Sequence, residues 1–153
     1  MGEDTETMSH FTLPANTVSE TITFTAPNPD DQNQLPLTVH MHFDSDSTAV
    51  LRMTGYGVNS NFSDGLEITD NSRALTTLTL KLAHDWPDSD TWSITVDVDN
   101  NTTVLSSRNP EYVYTLQQDR SESVISLTIT HTLRDKSKLI TGDPKIKVIR
   151  PTG

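Results

Sequence analysis

The stretch SVISLTITHTL, from Ser123 to Leu133, decides the fold class of this chain. Within it Ile125, Leu127 and Ile129 alternate with serine and threonine, which is the two-residue period of a strand that buries one face. Threonine also suits a half-buried pleated surface. The stretch therefore predicts a long β-strand with these three apolar side chains turned inward.

The same alternation recurs roughly every 10 to 20 residues, with turn-forming residues between the runs. The further predicted strands are Glu20–Ala26, Leu37–Phe43, Ala49–Met53, Leu75–Ala83, Thr91–Val98, Thr103–Leu105, Tyr112–Leu116 and Lys145–Arg150. Their predicted inward residues are Ile22, Phe24, Ala26, Leu37, Val39, Met41, Phe43, Leu78, Leu80, Leu82, Trp92, Ile94, Val96 and Val98. No long segment has a helical period, and we expect at most one helical turn, near Asp64–Ile68.

These runs predict an all-β protein: a single antiparallel two-sheet β-sandwich of about eight or nine strands, immunoglobulin-like or jelly-roll. A closed β-barrel is the alternative, which the low count of 6 glycines disfavours. We expect residues 15–153 to form the domain and residues 1–14 to form a flexible polar arm or an appended remnant. The segment Val58–Asn71 is predicted to be a functional loop or a crossover between sheets.

Charge and cysteine content limit the partners of the chain. With 21 acidic and 11 basic residues its formal net charge is -10, and nucleic acid is excluded because binding it requires a basic face. The absence of cysteine excludes disulfides and thiol chemistry. No apolar stretch approaches the roughly 20 residues of a membrane span, and no signal-peptide apolar region follows Met1. We therefore expect no membrane insertion and leave the localisation open.

Carboxylates at strand ends are the first candidate site. Sandwich domains gather loops at one end, where several oxygens can surround Ca²⁺. Asp97, Asp99 and Asn101 resemble half of an EF-hand loop, although Arg108 stands where that loop needs its last glutamate. The predicted calcium ligands are Asp85, Asp88, Asp90, Asp97, Asp99 and Asn101. Turn formation by Asp and Asn explains the same residues without an ion.

Aromatic side chains are the second candidate. Trp86 precedes Pro87 in a polar stretch and is predicted to be exposed, whereas Trp92 alternates inward. Together with Tyr56, Trp86 would form the ligand-binding residues of a carbohydrate platform. Tyr112 and Tyr114, which share one face of a strand, are either further platform residues or core.

Histidines are the third candidate. His40 and His42 point to the same face of a strand, within reach of one metal ion. A third ligand from a neighbouring strand, such as His131, would complete the site. Neither a clustered carboxylate nor a nucleophile motif accompanies the pair, so we predict that the protein is not an enzyme.

The leading functional hypothesis is a non-enzymatic structural or interaction module, such as a virion, phage or surface-assembly component. Threonine-rich strands, acidic loops and the lack of cysteine are typical of such proteins. We expect self-association or a larger assembly, with Met1–Pro14 and the C-terminal strand ending at Gly153 adding strands to neighbours. The alternatives are a carbohydrate- or calcium-dependent recognition domain and, less favoured, a metal-dependent enzyme using His40 and His42.

Overall fold

A computed structural model of the chain describes residues 8–25, 38–45, 50–54, 65–84, 86, 92–132, 138–140 and 145–151. Twelve β-strands lie within these residues. They are β1 (Met8–Thr12), β2 (Ser19–Phe24), β3 (Thr38–Phe43), β4 (Val50–Thr54), β5 (Gly65–Thr69), β6 (Thr77–Leu82), β7 (Trp92–Val98), β8 (Asn101–Leu105), β9 (Glu111–Thr115), β10 (Glu122–Thr132), β11 (Lys138–Ile140) and β12 (Lys145–Ile149).

The described strands form two sheets. The larger has the order β1-β5-β12-β10-β7-β8, with β11 also paired to β10, and the smaller has the order β4-β3-β2-β6-β9. The predicted all-β fold with two sheets is confirmed. The predicted antiparallel pairing is corrected, because β1–β5, β5–β12 and β2–β6 are parallel pairs and both sheets are mixed. The alternative of a closed barrel is wrong, since neither order of strands returns to its start.

One apolar core lies between the two sheets and draws residues from both. Phe11 of β1 in the larger sheet stacks on Phe43 of β3 in the smaller, with ring centroids 4.1 Å apart. The predicted inward residues that the structure describes are buried: Ile22, Phe24, Met41, Phe43, Leu78, Leu80, Leu82, Ile94, Val96, Val98, Ile125, Leu127 and Ile129. Burial of each large aliphatic side chain contributes about 1.5–3 kcal/mol. Ala26 and Leu37, and the side chains of Val39 and Trp92, lie outside the described part.

Three observed strands are absent from the predicted set: β1, β5 and β11. β5 stands where a helical turn was expected, and its Leu66 and Ile68 are fully buried. The two-residue period is present in β5 but covers only two apolar residues, too few to distinguish a strand from a turn. The segment 58–71 therefore contains a core strand, while residues 55–64 lie outside the described part. β1 lies within the segment 1–14 that we expected to form an arm, and it pairs in parallel with β5.

Candidate functional site

Two sheet edges lie together on one side of the sandwich. Among the described strands, β8 ends the larger sheet and β9 ends the smaller. The chain passes from β8 to β9 through a tight corner, in which the backbones of Ser106 and Asn109 exchange hydrogen bonds of 3.1 and 3.0 Å. We call the surface formed by Asn101–Leu105 and Glu111–Thr115 the β8–β9 side.

A two-residue turn leads into β8. Val98 of β7 pairs with Asn101 of β8, so the loop consists of Asp99 and Asn100, whose φ angles are 52° and 66°. Positive φ at both central residues defines a type I′ turn, whose twist matches that of the flanking strands. The polar run Asp99–Asn101 is predicted to be a turn; Asp99 and Asn100 do form it, whereas Asn101 begins the next strand.

Asp99 joins this turn to the smaller sheet. Its Oδ1 accepts a 2.7 Å hydrogen bond from Arg120 Nη1, and its Oδ2 accepts a 3.1 Å hydrogen bond from the Tyr114 hydroxyl. Tyr114 belongs to β9, and Arg120 lies in the connection between β9 and β10. A single carboxylate therefore connects the hairpin of one sheet with the edge strand of the other.

These contacts fix the protonation states around Asp99. The hydrogen bond from Arg120 holds the pKa of Asp99 below its usual value, and the same bond raises the pKa of Arg120. Burial raises the pKa of Tyr114 and of Tyr112, because it disfavours the charged phenolate. At neutral pH the group is an ion pair flanked by two neutral phenols.

A buried arginine positions the segment that carries Arg120. Arg150, only 1% exposed, follows β12. Its Nη2 donates to the carbonyl oxygens of Gln117 and of Arg120, the latter at 2.9 Å, and its backbone N–H donates to Ser121 O at 2.8 Å. A planar guanidinium suits several carbonyl acceptors at once, so Arg150 holds the 117–121 connection against the end of β12.

The two-residue turn determines which backbone groups of β8 face away from β7. In a two-residue hairpin the residues flanking the loop form a hydrogen-bonded pair, and such pairs alternate along the strands. Thr102 and Val104 therefore direct their backbone N–H and C=O groups away from β7. Asn109 Nδ2 donates to Val104 O at 3.0 Å, and the described residues place no partner on the other three groups.

The edge of β9 also directs backbone N–H and C=O groups to the open side. Leu82 N–H donates to Pro110 O at 2.8 Å, and Leu116 N–H donates to Thr76 O at 2.9 Å, which sets the hydrogen-bonded pairs between β6 and β9. By alternation, Glu111, Val113 and Thr115 direct their backbone groups to the open side. The side chains of Val113 and Val104 are 52% and 49% exposed.

The predicted calcium ligands fall into two groups. Asp85, Asp88 and Asp90 lie outside the described residues. Asp97 accepts a hydrogen bond from the Thr102 hydroxyl. The side chain of Asp99 accepts from Arg120 and Tyr114, and the side-chain amide of Asn101 donates to the backbone oxygen of Asp99. Among the described residues no group of three or more His, Cys, Asp or Glu is arranged to hold a metal ion. The calcium site stays a prediction.

One residue of the predicted carbohydrate platform, Trp86, is buried. Trp86 is 5% exposed and belongs to the core, so the expectation that it is exposed is wrong. Tyr114 is buried with its hydroxyl on Asp99, and Tyr112 is half-buried against the core. Tyr56 lies outside the described residues. The local sequence misled because an isolated tryptophan before a proline has no period from which its burial can be inferred.

The three histidines of the predicted metal site lie on strands of two different sheets. His40 and His42 lie on β3 of the smaller sheet, whose neighbours are β2 and β4. His131 lies on β10 of the larger sheet, so the expectation that it comes from a neighbouring strand is wrong. The side chains of His40 and His131 lie outside the described part, and a metal at His40 and His42 stays a prediction.

The expectation that the N-terminal segment and the C-terminal strand add strands to neighbouring molecules is also corrected in part. β1 does end the larger sheet, but the C-terminal strand β12 lies between β5 and β10 and has neighbours on both sides. Sequence reasoning missed the edges of β8 and β9. The available signal was weak: both runs are short, and β8 carries no charged residue.

No protein-family model, curated protein or solved structure matches this chain significantly. In the part of the chain that the structure describes, no helix has the length and apolar character needed to cross a membrane. The fold and its site therefore define the class to which the protein can be assigned: a two-sheet all-β protein with mixed sheets.

Proposed function

We propose that this protein is a non-enzymatic structural or interaction module that self-associates through its open sheet edges, in the manner of a virion or surface-assembly component. The observation that carries the proposal is the edge of β8. Its sequence NTTVL has no charged residue and no proline, and Val104 is 49% exposed on it.

Soluble proteins manage their sheet edges. An exposed edge strand presents unpaired backbone groups that can pair with another chain, and lysine, proline or a bulge normally prevents this. β8 contains no lysine and no proline, and its register with β7 runs from Asn101 to Leu105 without a bulge. Single exposed valines are ordinary on protein surfaces, but Val104 and Val113 both stand on edge strands, where an added strand would cover them.

The finer fold class is part of the same proposal. We assign the sandwich to the immunoglobulin-like or jelly-roll architectures, which are common among cell-surface and capsid domains. Neither architecture implies a particular partner, so the functional argument depends on the edges alone.

A charged substitution on the edge strand β8 tests the proposal. Val104→Lys places an ammonium group where a strand would be added, and its desolvation opposes pairing. We expect light scattering coupled to size exclusion to give the wild type a mass above that of the monomer, and the variant to require at least about 10-fold higher concentration for the same mass, equivalent to about 1.4 kcal/mol.

The matched control is Val18→Lys. Val18 is 57% exposed but precedes β2 and lies on no strand edge, so this variant should associate as the wild type does. A wild type that is monomeric at every concentration tested would overturn the proposal. So would a Val104→Lys variant that melts and associates like the wild type.

A further inference from the structure

We propose that two copies of this chain associate through the β8–β9 side about a single two-fold axis, so that both sheets continue from one copy into the other. The inference rests on the proposed function and names its interface. It also fixes the partner as a second copy, since both edges are used at once.

The two edges stand at nearly the same height. The corner turns at Ser107 and Arg108. Thr103, the centre of β8, precedes Ser107 by about four residues, and Val113, the centre of β9, follows Arg108 by about five. The difference of one residue corresponds to about 3.3 Å along a strand. One axis perpendicular to the strands can therefore pass close to both centres.

The open backbone groups fit this axis. A two-fold axis near Thr103 pairs Thr102 with the partner's Val104, and both residues have outward backbone groups. An axis near Val113 pairs that residue with the partner's Val113 and pairs Glu111 with the partner's Thr115. Each hydrogen-bonded antiparallel pair exchanges two bonds, which gives about ten bonds in total. About eight of them use backbone groups that are open among the described residues, because Val104 O in each copy already accepts from Asn109 Nδ2. Eight lies within the usual range for a protein interface.

The spacing between the edges is fixed at both ends of the strands. At one end the corner between Ser106 and Asn109 joins β8 to β9. At the other end Asp99 accepts the hydroxyl of Tyr114 and the guanidinium of Arg120. Pre-organised edges lose less conformational entropy on association than mobile ones.

A second copy is the occupant that matches this geometry. An extended peptide would cover only one of the two edges, whereas a second sandwich presents two edges at the same separation. The two-fold pairing also brings no like charges directly opposite each other, because Glu111 faces the partner's Thr115 and β8 is uncharged. Like charges directly opposite each other would destabilise the strand pair, and a chain of net charge -10 has an excess of acidic residues.

Single cysteines test the axis, since the chain has no cysteine of its own. Val113→Cys would place two thiols across a hydrogen-bonded pair with Cα atoms about 5.5 Å apart, within the range that a disulfide spans. Thr103→Cys is the second variant, across a pair about 4.5 Å apart. Val18→Cys, at a residue as exposed as Val113 but on neither edge strand, is the control.

Under mild oxidation at one protein concentration, we expect Val113→Cys and Thr103→Cys to form disulfide-linked dimers at least about 10-fold faster than Val18→Cys, with no larger species by light scattering. If neither variant exceeds the control while Val104→Lys still weakens association at least about 10-fold, the two-fold interface is wrong and the proposed function stands. If the wild type is monomeric, both fail.

Discussion

Asp99 performs three tasks, one with its backbone and two with its side chain. Its backbone adopts the positive φ that the turn requires, and its two oxygens accept hydrogen bonds from Arg120 and Tyr114. Asp and Asn tolerate this backbone region better than other non-glycine residues. The residue that resembles a calcium ligand in sequence is thus engaged in holding the two sheets together at one end of the β8–β9 side.

Asp99→Asn is predicted to change how stability depends on pH. The folded pKa of Asp99 is lowered from 3.8 by the hydrogen bond from Arg120, so between the two pKa values the unfolded chain binds more protons than the folded one. The contribution of the ionised carboxylate is present above pH 3.8 and is lost as pH falls through the folded pKa. Melting temperatures measured from about pH 7 to pH 2 should show the wild type above the variant at neutral pH and the two converging in acid.

Asp119→Asn provides the comparison for this experiment. It removes the same charge from an exposed residue beside Arg120, and at neutral pH it should melt within about 1 °C of the wild type. A gap between wild type and Asp99→Asn that persists unchanged in strong acid would mean that the side chain acts by shape or turn preference rather than by charge.

At the scale of elements, the β7–β8 hairpin depends on its turn. Asn100 has a φ of 66°, a conformation that costs an ordinary L-residue about 1–2 kcal/mol. Asn100→Ala should therefore lower the free energy of unfolding by about 1 kcal/mol and the melting temperature by about 2–4 °C. Asn100→Gly should melt close to the wild type, because glycine adopts this region without steric cost. Circular dichroism melts check both, and equal melting of the two variants would contradict the type I′ turn.

The strand pattern of the sequence predicts which side chains are buried much better than which strands are neighbours. The alternation in β10 correctly predicts that Ile125, Leu127 and Ile129 are buried. It contains no information about the parallel pairing of β2 with β6, because every strand alternates in the same way whatever lies beside it. Which strands stand at an edge is likewise a property of the whole sheet, so the edge of β8 could not be found from its five residues.

The candidate site shows the same limit. The cluster Asp97, Asp99 and Asn101 spans the turn that leads into β8, so the sequence pointed to the correct turn. Its chemistry could not be predicted, because the partners of Asp99 are 15 and 21 residues away along the chain. Local spacing suggested metal ligands, whereas the contacts observed for Asp99 are with an arginine and a tyrosine.

At the scale of the whole molecule, the two lateral sides of the sandwich differ. Among the described strands, β1 and β4 end the sheets on one side, and Phe11 of β1 stacks on Phe43 of β3, the strand next to β4. On the other side β8 and β9 end the sheets, with Val104 and Val113 exposed. The acidic charge of the molecule opposes association in general, and the β8–β9 side, whose single charged residue is Glu111, adds little to that repulsion under the proposed pairing.

This balance predicts the sign of the salt dependence. If backbone pairing and apolar contact hold the dimer while net charge opposes it, salt should strengthen association by screening the repulsion. We expect sedimentation to give a Kd that falls by roughly 3- to 10-fold between about 0.02 and 0.3 M NaCl. An interface held by ion pairs would show the opposite trend, and a Kd that rises with salt would rule out the uncharged edges as its main contact. Calcium chloride at matched ionic strength tests the alternative of a calcium-binding domain. Screening alone would give equal Kd values in the two salts. A lower Kd in calcium would indicate that the acidic loops bind the ion.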